Sequence, residues 1–233
     1  MKTTTSPLAD TRGGNIRVWD LPTRIFHWLL VLSFAGAWLT AESERYRDVH
    51  LMFGYTVAGL LLFRIIWGFA GSRWARFSSF LFPPSRLADY LHSLRTLRPQ
   101  HHAGHNPLGA LAVFLLLGLG LATAACGFAT YQELGGKWLK EVHEAGAQLM
   151  LAIVIVHVLG VIVSSLLHRE NLARAMVTGS KRGRPDEGIA SRHAVAGVLL
   201  LVAVLAFWSA DRAGWLGAPV VAEPTHAAHQ ARD

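Results

Sequence analysis

The chain has 233 residues, of which 52% are hydrophobic and only 16% charged, and the apolar residues come in long blocks. That composition excludes an ordinary soluble domain and describes an all-α, polytopic integral membrane protein. The net charge of +7 is not gathered into a recognition motif, so nucleic acid is set aside as a partner and the basic residues are read as markers of membrane topology.

Five stretches have the apolar length of a membrane span: Ile25–Ala41, His50–Ala70, Pro107–Tyr131, Val142–Leu167 and His193–Ala210. The first is short and ends in Leu39, Thr40 and Ala41, so a cleaved signal peptide is the competing reading. A polar leader of 24 residues is long for such a peptide, and His27 and Trp28 interrupt the apolar run, which favours a span. The connection from Gly71 to Asn106 contains Ser85 to Arg95, where Leu87, Leu91 and Leu94 recur at helical spacing opposite charged positions. An amphipathic helix lying on the membrane face is expected there, with a soluble connector as the alternative. His101, His102 and His105 follow as a polar cluster that reads as a solvated loop rather than a metal site. The Gly-, Lys- and Arg-rich segment Thr178 to Glu187 reads as a flexible linker that sets the fifth span apart from the first four.

The expected organisation is therefore a cytoplasmic segment over 1–24, a four-helix core over 25–167, a cytoplasmic linker over 168–192, an accessory fifth transmembrane helix over 193–210 and a flexible periplasmic tail over 211–233. The segments preceding spans 1, 3 and 5 hold sixteen of the 22 Lys and Arg residues. By the positive-inside rule this places the N-terminus in the cytoplasm and the C-terminus in the periplasm of a bacterial inner membrane. Trp67, Trp74, Trp138, Trp208 and Trp215 fall near span ends, where interfacial anchors are expected.

Four histidines sit inside or at the mouths of these spans: His27, His50, His143 and His157. His143 and His157 are fourteen residues apart on one helix, which puts them about 21 Å apart and within roughly 40° of one face. Ionisable groups within a bilayer need a partner or a function, and haem iron is one partner for neutral imidazole. Depth sorts the four into two pairs from different helices, His50 with His143 at the outer side and His27 with His157 at the inner side. Four imidazoles at two depths saturate two irons. The single cysteine, Cys126, rules out a covalent C-x-x-C-H attachment, so the expected cofactors are two haem b groups.

Gly54, Gly146 and Gly160 follow His50, His143 and His157 by three or four residues and are candidates for close packing against a macrocycle. Ordinary helix contacts are the competing role for such glycines. Arg64, fourteen residues after His50, and Arg24, one turn before His27, are candidate partners for haem propionates. Snorkelling to the interface is the plainer reading of both arginines. Arg24 and Trp28 are also candidate quinone contacts, with interfacial anchoring as the competing role.

The stretch Arg17-Val18-Trp19-Asp20-Leu21-Pro22-Thr23-Arg24-Ile25-Phe26-His27-Trp28, followed by His50-x-x-x-Gly54, Phe63-Arg64, Gly104-His105-Asn106-Pro107-x-Gly109, His143-Glu144 and His157, resembles the bacterial cytochrome b561 and nickel–iron hydrogenase b-type cytochrome family. The likeness runs from about Arg17 to Gly179. It implies a four-helix di-haem core with His27, His50, His143 and His157 as axial ligands, carrying electrons between the quinone pool and a redox partner. Quinol oxidation with delivery to a periplasmic acceptor, a c-type cytochrome or superoxide, is the expected direction. A hydrogenase subunit passing electrons to quinone is the alternative within the family, and the fifth span departs from the four-helix pattern. Two other classes remain distinct: a haem-free proton-relay transporter, which predicts no chromophore, and a membrane anchor whose haems serve assembly.

Overall fold

A computed structural model of the chain describes residues 14–96, 100 and 102–214. The expected tail over Gly217–Asp233, Trp215 and His101 lie outside the described residues. Seven helices follow one another: α1 Leu21–Thr40, α2 Arg47–Ala70, α3 Pro84–Arg95, α4 Pro107–Tyr131, α5 Trp138–His168, α6 Leu172–Thr178 and α7 Ala194–Arg212. A strand β1, Gly14–Arg17, pairs antiparallel with β2, Ser180–Gly183. Four of the long helical segments are long and apolar enough to cross a membrane, those over Glu44–Ala70, α4, α5 and α7. The remaining long helix, α1, has 20 residues but carries Arg24 and His27. It lies along α2 and α7, parallel to the spans.

Local chemistry sets the helix starts. Asp20 accepts the Thr23 N–H at 2.9 Å and Pro22 follows in the first turn of α1. The Asn106 side chain accepts the Gly109 N–H at 2.7 Å with Pro107 opening α4. In both cases a side-chain oxygen satisfies a helix-end donor, and proline occupies a position whose own N–H is not needed. The Asn-Pro-x-Gly motif is thus the entry into a span.

Packing runs from α7 to α1, then to α2, α4 and α5. Leu200, Leu201, Val204 and Trp208 of α7 pack on Phe26 and Leu29 of α1 and on Leu60 and Phe63 of α2. Against lipid, apolar burial gains little, so close approach and interhelical hydrogen bonds carry the association. Both are present here: Gly197 sits where a Cβ would meet Leu21 at 2.9 Å, and the Trp208 indole donates to Thr56 Oγ1 at 2.9 Å. The fifth apolar segment is therefore an integral part of the bundle and not an appendage.

The 168–192 region also departs from expectation. It is ordered by α6, by the β1–β2 pair and by Gly179, whose carbonyl accepts the N–H groups of Val18 and Trp19 at 2.8 and 3.0 Å. Gly179 has φ +84°, a left-handed conformation that favours glycine. Ile16, Val18, Trp19 and Ala175 form a small buried cluster beneath this cap. Composition alone suggested flexibility because the partner strand lies far away in sequence. Three of the five tryptophans near span ends make hydrogen bonds within the chain: Trp67 donates to Asp20, Trp74 to the Glu187 carbonyl and Trp208 to Thr56. Their indoles tie the protein to itself, whereas Trp138 is exposed as an interfacial anchor would be.

The amphipathic helix forms as expected, but Tyr90 and Ser93 are its buried residues and Leu91 is exposed. Leu87 and Leu94 are half-buried beside Tyr90, whose ring stands edge-on to His102 with centroids 5.6 Å apart.

Candidate haem-ligand sites

The loop between α1 and α2 is short, so the two helices run antiparallel and bring the end of α1 beside the start of α2. His50, in the first turn of α2, places Nδ1 2.9 Å from the Ala37 carbonyl of α1. His143 of α5 places Nδ1 2.9 Å from the Thr123 carbonyl of α4. A carbonyl oxygen only accepts, so each Nδ1 bears the proton and donates, which leaves the Nε2 lone pair available to a metal.

The two rings are adjacent, with centroids 6.1 Å apart and planes crossed at 83°. With a nitrogen–metal bond of about 2.0 Å and a ring radius of about 1.1 Å, two imidazoles on opposite sides of one metal have centroids about 6.2 Å apart. The 6.1 Å separation of His50 and His143 is close to that figure.

Gly127, which the sequence reading passed over, makes this pair possible. A Cβ there would meet the His143 ring at 2.7 Å. The signal was a glycine in an apolar span, indistinguishable in sequence from an ordinary helix contact. Gly146 serves the α4–α5 approach, since a Cβ would meet Thr123 Oγ1 at 2.4 Å, while Gly54 and Gly160 have nothing within 4 Å of a built Cβ.

His27 and His157 lie on α1 and α5, which are not among the closely packed helix pairs, and no direct contact joins their rings among the described residues. His27 Nδ1 is shielded and has no hydrogen-bond partner, and its ring stands edge-on to Trp28 at 5.2 Å. Arg64 is buried, 4% exposed, with its guanidinium 4.9 Å from the Phe77 ring and 5.8 Å from the Phe80 ring. Its Nη1 has no hydrogen-bond partner. It is thus not a snorkelling residue.

Arg24 differs: its Nη2 donates to the Val177 carbonyl and ties α1 to α6. Trp28 Nε1 points to the Met176 carbonyl at 3.4 Å. Between α1, α6 and α7 these two residues, with Leu29, Leu32, Met176 and Leu201, line an apolar cleft of about 300 Å³.

The sequence reading of the Gly71–Asn106 connection missed His105. This residue is no solvated loop position: its ring is 4.8 Å from Trp19 and 4.5 Å from Phe80, and Nδ1 is shielded with no partner. Burial, reinforced by Arg64, His157, Lys181 and His27, pushes its pKa down to about 3. The same set of neighbours places His105 in the electrostatic environment of both His27 and His157. Its position immediately before the Asn106 cap, at a span entrance, was the available signal. His102 faces Phe82 and Tyr90.

A family model described as prokaryotic cytochrome b561 matches residues 18–179. The probable Ni/Fe-hydrogenase B-type cytochrome subunits of Azotobacter vinelandii and Azotobacter chroococcum mcd 1 are 29% and 30% identical to the chain, each alignment covering 73% of it and 91% of the relative. The probable Ni/Fe-hydrogenase 1 B-type cytochrome subunit of Escherichia coli strain K12 is 29% identical over 50% of this chain and 60% of its own length. No solved structure matches. The matched region runs from just after β1 through α6 and includes all four span histidines, two of which have ring centroids 6.1 Å apart; with most of its length inside that model, the chain belongs to the prokaryotic cytochrome b561 family.

Proposed function

We propose that the protein is a di-haem b-type cytochrome that carries electrons across the membrane between the quinone pool and a redox protein on the opposite face. The placement of His50 and His143 with ring centroids 6.1 Å apart is the observation that carries the reading. Haem b supplies a one-electron carrier when bound. Two imidazoles at each centre leave no open coordination position, so the chain's residues favour electron transfer over oxygen binding.

His50 and His143 hold one group, with Ala37 and Thr123 fixing their tautomers through backbone carbonyls. His27 and His157 hold the other. Arg64, an unpaired cation in a desolvated position, binds a propionate there. Gly54 and Gly160 leave room beside the ligands. The Arg24–Trp28 cleft takes the quinone headgroup and part of its tail, with Arg24 retaining donors besides the one spent on Val177.

Pyridine haemochrome analysis of the purified protein is expected to give about two non-covalent haem b per chain, and anaerobic addition of a quinol analogue to reduce them at the haem bands. One haem or none would overturn the pairing by depth, and haem bands unresponsive to quinol would remove the quinone from the reading. The names of the relatives favour a membrane-associated hydrogenase as the redox partner. In that case hydrogenase and hydrogen reduce the haems and quinone reoxidises them. Delivery to a periplasmic c-type cytochrome or to superoxide gives the reverse order, so the same bands decide the direction.

The end of α2 and the start of α4, together with α6 and β2, face the cytoplasm in this proposal. A reporter fused after Asp233 is then active only in a periplasmic format. Activity in a cytoplasmic format would mean an even number of crossings.

A further inference from the structure

We propose that His105, together with Arg64, binds a propionate carboxylate of the haem held by His27 and His157, which makes His105 a positioning residue for that cofactor. This rests on the haem reading above. Its grounds are geometric: Arg64 Nη1 and His105 Nδ1 are both buried without a hydrogen-bond partner, on either side of Phe80.

Arg64 is 4% exposed. A buried guanidinium needs acceptors, because the loss of hydration is offset only by hydrogen bonds and an opposite charge. Phe77 and Phe80 supply ring faces, which attract the charge but do not accept its N–H groups in the manner of a carboxylate. Among the described residues no carboxylate forms an ion pair with it. Asp20 is the charged group that favours the Arg64 cation. Its oxygens are already engaged by the Thr23 N–H, the Trp67 indole and the Ser72 N–H.

Phe80 is the wall shared by both groups: it is 1% exposed, and it has Arg64 at 5.8 Å and the His105 ring at 4.5 Å. Trp19 holds the other side of His105. The ring is thus fixed between two aromatics with a shielded Nδ1 that nothing in the protein satisfies. Lys181, buried on β2, adds a further positive charge nearby while its own Nζ donates to the His102 carbonyl at 2.6 Å.

A guanidinium and an imidazole at one apolar wall suit a carboxylate, which accepts hydrogen bonds from more than one donor. His27 and His157 are part of the same electrostatic neighbourhood. A haem between those two ligands carries such carboxylates. An anionic lipid headgroup is the other source of the same chemistry.

The test uses the full-length haem-loaded protein in vesicles of phosphatidylcholine alone, with the two haem midpoint potentials resolved by redox titration. His105→Phe keeps a ring between Trp19 and Phe80 but removes both N–H positions. It is expected to lower the potential of the His27–His157 centre alone, by about tenfold in the reduction equilibrium, or about 59 mV for one electron. His105→Gln, which keeps a donor, is expected to restore most of the shift. Arg64→Gln should act in the same direction, and the double variant should shift by less than the sum, because both groups share one carboxylate.

Unchanged potentials in His105→Phe, equal shifts at both centres or strict additivity with Arg64→Gln would overturn the proposal. Loss of that haem in His105→Phe but not in His105→Gln supports it. Loss in both variants indicates a structural role and overturns it. A shift seen only when phosphatidylglycerol is added assigns the anion to lipid and also overturns it. Failure of the haem reading itself is visible separately, as a parent protein lacking the second haem.

Discussion

His50→Ala and His143→Ala are each expected to abolish the same low-spin haem signal while leaving the second centre in place. His27→Ala and His157→Ala are expected to remove the other. The reason is geometric. His143 and His157 are held about 21 Å apart along one rigid helix, so neither can replace the other at an iron. His50 opens α2 whereas His27 lies in the first half of α1, and the two helices are antiparallel. Removing one ligand admits water to the iron, so haem content falls less than the low-spin signal; the comparison belongs to electron paramagnetic resonance. The crossed planes of His50 and His143, at 83°, give that centre a highly anisotropic low-spin line. Gly127→Val drives a side chain into the His143 ring and is expected to disturb the same line, at a packing cost of about 1–3 kcal/mol. A variant set in which His27→Ala and His50→Ala quench one common signal would dismantle the pairing.

The spans were legible because a bilayer demands long apolar runs. Pro107–Tyr131 is read and observed with the same bounds, and His50–Ala70 lies within α2. α5 begins at Trp138, ahead of the apolar stretch from Val142, because Lys140 and Glu141 continue the helix beyond the apolar region, with Lys140 and Glu144 paired at 3.6 Å. The His50–His143 site was legible for a related reason. Depth along a helix is linear in residue number, and antiparallel neighbours convert depth into contact.

The cap at the basic end was not legible. Its parts are short, polar and without periodicity, and they find each other across most of the chain: Asn15 opposite Arg182, and Trp74 bonded to Glu187. His105 was missed for the same reason. Its neighbours Trp19, Phe80 and Arg64 come from three separate segments, so nothing in the run of histidines around it announced burial. Arg24 does not simply snorkel, because one of its donors is spent on the Val177 carbonyl, a partner 153 residues away in sequence.

Asp20→Ala is expected to be the most destabilising change outside the haem ligands, at about 3–5 kcal/mol, because it removes an acceptor from three donors at once. Asp20 is 1% exposed. One oxygen caps α1 through the Thr23 N–H at 2.9 Å, and the other accepts from Trp67 Nε1 at 3.0 Å and the Ser72 N–H at 3.3 Å. The residue thereby joins the start of α1 to the end of α2 and the turn beyond it. Alanine leaves these donors without the carboxylate that accepts from them. The individual contributions overlap, so they do not add to their sum.

Asp20→Asn separates the two roles. The amide oxygen can still cap α1, but the amide nitrogen is a donor and then faces the donors of Trp67 and Ser72. It is expected to cost more than half of the alanine penalty, although it is nearly isosteric. Thermal loss of the haem spectrum in detergent measures both variants. Because the weakened joint lies seven residues before His27 on α1, the His27–His157 signal should be lost at a lower temperature than the His50–His143 signal. Parent-like stability of Asp20→Asn, or simultaneous loss of the two signals, would show that this carboxylate does not hold the helix bearing His27 in place.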